Sequence, residues 1–181
     1  LYHLNHIGEI MPVYNKKTYS DFSADDDYDI VDIYSNFNEI QLSFALNTKL
    51  KWQLKRLSDF GFDDDKGQTN RFALYHFAYE DLTNIYLIKP IQAQAAILST
   101  CYLILHGVVR PDFKEKLIAE MHAIQGIFTA TVINLNLLGT STKRNPLIMQ
   151  LTNLLYHMES HLLDLRQKEK KERRINELRT F

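Results

Sequence analysis

The sequence predicts an α+β domain: a mostly antiparallel sheet with two packed helices in βα…ββ…αβ order, followed by a C-terminal amphipathic helix. An all-α bundle is the alternative. Two observations carry the prediction. Between Pro111 and Leu138 the apolar period changes from helix-like, up to Ile124, to strand-like beyond Gly126. Upstream, from Phe72 to Leu105, short aromatic and β-branched runs are divided by polar turns.

Residues 1–27 show no sustained period and end in the acidic, loop-like Ser23-Ala24-Asp25-Asp26-Asp27, so they read as an N-terminal extension. This run is not a calcium loop, because Ile30 stands where the turn after Asp25, Asp27 and Asp29 requires glycine. Tyr28 to Tyr34 reads as the first strand. Asn36 then offers a helix cap, with Glu39 as its reciprocal partner. Ile40, Leu42, Phe44, Leu46, Leu50, Trp52 and Leu54 all fall on alternate positions. That spacing fits either a strand pair turning at Asn47-Thr48, or a helix from Asn38 to Leu50 followed by a strand through Trp52 and Leu54; the second is adopted. Asp63 to Gly67 is a polar turn, Phe72–Tyr79 and Asn84–Ile88 form a hairpin about Glu80-Asp81, and Ile97 to Leu105 is the next strand, ended by His106-Gly107.

The helix that follows starts at Pro111 and Asp112, with Glu115 completing a capping-box pattern. Phe113, Leu117, Met121 and Ile124 form its apolar stripe, and Gln125-Gly126 ends it. Ile127 to Ile133 is dense in β-branched residues, which fit a pleated surface better than a helix. A single buried helix continuing to Leu138 is the rival reading. At the C-terminus Asn145 caps a helix with Pro146 at its first position. Leu147, Leu151, Leu154, Met158, Leu162 and Leu165 repeat along it at three-and-four spacing, and Arg166 to Arg179 is charged on nearly every side. The organisation is therefore a 1–27 extension, a 28–144 α+β domain and a 145–181 helix with a charged tail.

With 181 residues and 45% hydrophobic content, the chain can bury a sizeable core. A net charge of -1 and a pI near 6.7 provide no global attraction for nucleic acid or anionic membrane. The single cysteine, Cys101, has no intramolecular partner and reads as a small core residue in a reducing compartment. The uncharged stretches Pro90–Val109 and Met121–Thr142 approach membrane-spanning length. Gln92, Gln94, Ser99, Thr100 and His106 interrupt the first, and Gln125, Asn134 and Asn136 the second, so both read as buried sheet and loop with no membrane span. No secretory leader is visible, which makes a cytoplasmic location the expectation; Leu at position 1 leaves the true start of the chain open.

Ser35-Asn36-Phe37-Asn38-Glu39-Ile40-Gln41-Leu42-Ser43-Phe44-Ala45-Leu46-Asn47, then Phe77-Ala78-Tyr79-Glu80-Asp81, Ile124-Gln125-Gly126-Ile127 and Lys143-Arg144-Asn145-Pro146-Leu147-Ile148 together resemble the small bacterial IPExxxVDY family. The resemblance covers about residues 28–149, and the naming motif falls on Gln94 to Tyr102, agreeing at Tyr102. It implies the α+β order and carries no activity with it.

Chemistry-bearing residues are sparse. His157 and His161, four apart on a helix, supply half of a zinc site, with His122, His76 and Glu80 as the suggestive further donors. No metal and no other cofactor is assigned. Arg71 and His76 match the Arg-x4-His spacing of the HEPN ribonuclease motif, but on a strand they point to opposite faces. No phosphate loop, nucleophile elbow or cysteine-centred site is present, so no catalytic residue is assigned. The expectation is a non-catalytic protein–protein interaction or accessory module whose contact element is the C-terminal helix. That element comprises Leu147, Leu151, Leu154, Met158, Leu162 and Leu165 with Lys170, Lys171, Arg173 and Arg174, set against another protein or a second copy of the chain. The alternative is a small RNA-binding or HEPN-like RNA-processing protein using the basic tail.

Overall fold

In the computed structural model, which describes residues 28–63, 67, 69–79, 83–91, 99–107, 109–133 and 146–179, the chain runs in the order β1 (Tyr28–Ser35), α1 (Glu39–Leu50), β2 (Lys55–Arg56), β3 (Phe60–Asp63), β4 (Thr69–Tyr79), β5 (Thr83–Pro90), β6 (Ser99–Gly107), α2 (Pro111–His122), β7 (Ile127–Ile133) and α3 (Pro146–Arg179). The fold is α+β and not an all-α bundle. Every strand pair is antiparallel, in the order β2-β4-β5-β6-β1-β7, with β3 also paired to β4. The expected 1–27 extension, residues 64–66 of the acidic turn, the Glu80-Asp81 turn and the Asn145 cap lie outside the described residues.

The sheet is apolar on both faces. In β5 every residue from Ile85 to Ile88 is buried, and so is every residue of β6 from Leu103 to Leu105. This is how strands read when neither face meets water, and it explains why the Pro90–Val109 stretch is so apolar without being a membrane segment. No described helix is long and apolar enough to cross a membrane. Odd-numbered β1 and β6 residues, Val31, Ile33, Leu103 and Leu105, face a core completed by Leu42 and Leu46 of α1, Leu117 and Met121 of α2, and Trp52 and Leu54. Even-numbered Ile30 and Ile104, with Leu74, Tyr86 and Ile88, face a second core closed by Leu151, Leu154, Leu155 and Met158 of α3. The molecule is therefore a three-layer α/β/α sandwich, and the first half of α3 belongs to the same folding unit as the sheet.

Several local details differ from the sequence reading. The α1 cap is Asn38, not Asn36: its side chain accepts from the Gln41 backbone at 2.8 Å, and Gln41 Oε1 accepts from the Asn38 N–H at 3.1 Å. Gln serves the reciprocal role as well as Glu does. Trp52 and Leu54 are buried but do not form a strand. The Asn47 amide takes both backbone groups of Leu54, accepting from its N–H at 2.7 Å and donating to its carbonyl at 3.2 Å, so no neighbouring strand is needed there. Pairing begins only at Lys55. In α2 the N-cap is Arg110, with Pro111 at the first helical position and no side-chain cap. Asp112 lies inside the first turn, where its charge still faces the positive end of the helix. The strand β3 was not anticipated at all.

Gly126 joins α2 to β7 at φ +105°, a conformation that side chains rarely adopt. A Cβ there would lie 2.6 Å from the Phe37 ring and 2.8 Å from Asn36 Oδ1. The Asn36 N–H donates to the Gly126 carbonyl at 3.1 Å, which locks this turn against the end of β1. Just beyond it a bulge at Phe128 shifts the register, since Ser35 opposes Ile127 while Tyr34 opposes Thr129. The bulge puts Ile127 and Ala130, three apart, on the same core face. Gly126→Ala therefore meets both a strained φ and a blocked space, and we expect it to destabilise the fold by about 2 to 4 kcal/mol. Urea unfolding measures this; a loss under about 0.5 kcal/mol would show that the turn is not constrained as described.

Candidate interaction helix and the polar cluster beneath it

Helix α3 is 34 residues long, about 51 Å at 1.5 Å per residue. Its two halves have different surroundings. Ile148, Leu151, Leu154, Leu155 and Met158 are buried against the sheet, whereas every residue from Gln167 to Leu178 is exposed. Of the stripe assigned to a partner, Leu151, Leu154 and Met158 are thus taken up by the chain's own core. Leu162 and Leu165 are half-buried, and Leu147 is exposed at the start of the helix. Lys170, Lys171, Arg173 and Arg174 all stand in solvent. The correction is physical: a three-and-four apolar stripe is what either seat requires, and the uncovered second face of the sheet is the nearer one.

The two helix histidines are explained by packing. His157 stacks on Phe62 with ring centroids 4.3 Å apart, and His161 stacks on Phe60 at 5.8 Å. His161 Nε2 also lies 3.0 Å from both the hydroxyl and the carbonyl of Ser58. Both rings thereby fasten α3 to the β3 edge, the strand the sequence did not disclose. Among the described residues no group of three or more His, Cys, Asp or Glu side chains is placed to hold a metal. His76 lies on β4, hydrogen-bonded to Asn84 at 2.9 Å and stacked on Tyr86, and His122 lies on the far side of the sheet at the end of α2. Glu80 is outside the described residues. Arg71 and His76, five apart on β4, sit on opposite faces, with Arg71 3.8 Å from Asp59.

Where α3 leaves the sheet it covers a cluster formed by Tyr28, Tyr86, His106, Glu159 and Arg166. Tyr28 and His106 are register partners of β1 and β6, and their rings stack at 4.6 Å. The Tyr28 hydroxyl donates to Glu159. Burial, and then the Arg166 charge, hold the His106 imidazole down to about 4. Burial pushes the Tyr86 hydroxyl up, and Arg166 partly offsets this. Perturbed groups gathered in one place are what an acid–base site also requires. The space between them, however, is about 10 Å³, the room of a single water. A substrate does not fit under the helix. Elsewhere the Cys101 thiol is pushed up to about 12 by burial, which leaves it unreactive. Asp32, on the α3 side of β1, is raised by burial, and one of its oxygens has no hydrogen-bond partner among the described residues.

The tail of the helix is basic. Arg166 to Arg179 contains seven basic and three acidic residues, net +4, leaving -5 for the remainder of the chain. Two apolar residues, Ile175 and Leu178, stand three apart within it, 49% and 79% exposed. Comparison of the chain with protein-family models, with curated proteins and with solved structures finds no match.

His106 generates a pH prediction. An unconstrained imidazole titrates near 6.5 and the folded one near 4, so between these values the unfolded chain binds more protons than the folded chain. The stability this contributes is present above about 6.5 and is lost as pH falls towards 4; His157, also lowered by burial, acts in the same direction. The urea midpoint should fall across that window, and His106→Phe should remove most of the fall. An equal slope in the variant would place the acid sensitivity elsewhere.

Proposed function

We propose that the protein is a non-catalytic association module of the cytoplasm, related to the small bacterial IPExxxVDY proteins, that presents the distal half of α3 to a protein partner. The sheet and α3 as far as Arg166 form the base, and the protruding rod from Gln167 onward is the contact element. The observation that carries this reading is the pairing of exposed Ile175 and Leu178 with a ring of basic residues. Apolar anchors three apart on a helix suit a groove on a protein, and the surrounding charge suits a groove with an acidic rim. A phosphate backbone makes use of the charge alone.

The contact element is narrower than the sequence implies. Removing everything after Met149 would strip Leu151, Leu154, Leu155 and Met158 from the core, each substitution of such a residue costing about 2 to 5 kcal/mol, and would test folding instead of binding. The informative cut follows Arg166. Two full-length variants refine it: Lys170, Lys171, Arg173 and Arg174 all changed to Glu, and Ile175→Asp with Leu178→Asp. Affinity capture with the intact chain should recover a partner that survives nuclease treatment and is lost with either variant, while thermal stability changes little. Capture that is abolished by nuclease and moderate salt yet unaffected by the Ile175/Leu178 pair would favour the RNA-binding reading instead. Unaltered capture after the Arg166 truncation would remove α3 from the account.

A further inference from the structure

The two edges of the sheet are built differently. On one side the outer strands are β2, two residues long and composed of Lys55-Arg56, and β3, four residues ending in Asp63. Short charged strands of this kind discourage pairing with another sheet. On the other side β7, seven residues, is Ile127-Phe128-Thr129-Ala130-Thr131-Val132-Ile133, with no charge and no proline. Among the described residues it pairs only with β1. Phe128 is 55% and Val132 36% exposed.

Among the described residues, the outward backbone of this strand is occupied at one point. Ala130 opposes Ile33, in the part of the ladder where both its N–H and its carbonyl turn away from β1, and the His122 Nε2 lies 3.1 Å from each. Val132, two residues further on and opposite Val31, shares that orientation. A single ring nitrogen either donates to the carbonyl or accepts from the N–H, depending on the tautomer, so His122 satisfies only one of the two Ala130 groups at a time. An incoming strand supplies an acceptor and a donor together. His122 is itself exposed at the end of α2.

The strand's own sequence selects the occupant. Around Ala130 it reads nearly the same in both directions: Ile127 mirrors Ile133, Thr129 mirrors Thr131, and Phe128 is matched by Val132. We propose that the β7 edge is a self-pairing site, where a second copy of this chain joins antiparallel across a twofold axis at Ala130, in competition with the His122 side chain. Ala130 then exchanges both backbone bonds with its counterpart, and each Thr129 lies across from the Thr131 of the other copy, a favourable cross-strand pair. A self-complementary patch is what an isologous dimer requires. The sheet continues through the contact, and α3 takes no part in it, so this inference stands independently of the function proposed above.

Sedimentation velocity of the intact chain over a concentration series tests it. The wild type should show concentration-dependent dimerisation. His122→Ala should tighten it about thirtyfold, because the dimer displaces His122 from both copies and each displacement gives up about one ordinary hydrogen bond. Val132→Pro takes away an outward N–H without touching the β1 ladder, and it should weaken the dimer tenfold or more while circular dichroism stays unchanged. Amide exchange supplies a second readout, with the Ala130 and Val132 amides gaining protection as protein concentration rises. A monomer at all concentrations in both wild type and His122→Ala would overturn the proposal. So would protection of those amides that does not depend on concentration, which would mean that the chain's own residues cover the edge. A dimer insensitive to Val132→Pro would overturn it as well.

Discussion

A sheet that is apolar on both faces cannot stand with one face in water, and the rest of this structure depends on that constraint. Ile30, Leu74, Tyr86, Ile88 and Ile104 face away from α1 and α2, and leaving them exposed would cost about 1.5 to 3 kcal/mol for each large side chain. The nearest available cover is the C-terminal helix. Its stripe is therefore drawn onto the sheet, His157 and His161 clamp it to β3, and Tyr28 and Glu159 close its end. This seat nucleates a helix that then continues beyond the sheet. Propagating from an anchored turn is far easier than starting a free helix of the same length, which is how a solvated four-turn rod can persist at all.

Much of the architecture was legible because local period and tertiary environment agree. The strand Ile127–Ile133 has the bounds its composition suggests, and of the apolar stripe Phe113, Leu117, Met121 and Ile124 the last three are buried, Ile124 just past the end of α2, while Phe113 is half-buried. The order of strands and helices also follows from turn residues and β-branched runs. What stayed hidden was set by partners distant in sequence. Nothing local marks Phe60–Asp63 as a strand, since it is four residues long with a glycine inside; its pairing with β4 and its contact with the α3 histidines make it one. Nothing local separates Leu151, Leu154 and Met158 as core residues from the same residues as a docking stripe. The alternation through Trp52 and Leu54 suggested a strand because burial alternates there, but the Asn47 side chain, not another strand, satisfies the backbone.

The polar cluster and the helix histidines show how easily a packing solution resembles a chemical site. Tyr86 and His106 carry shifted titrations and share one cluster with Tyr28, Glu159 and Arg166, yet the space enclosed is room for no more than a water. They lie at the point where α3 leaves the sheet. The protruding segment is net +4 on a chain whose remainder sums to -5.

The central claim is that α3 is one helix with two duties, core for its first half and contact element for its second. Residue-resolved hydrogen exchange of the isolated protein tests it directly. The account predicts that amides from about Leu151 to Leu162 exchange only through global unfolding, and that those beyond Gln167 exchange orders of magnitude faster, with the step falling near Leu165. Uniform slow exchange along the whole helix, or uniform fast exchange from Pro146 onward, would contradict it.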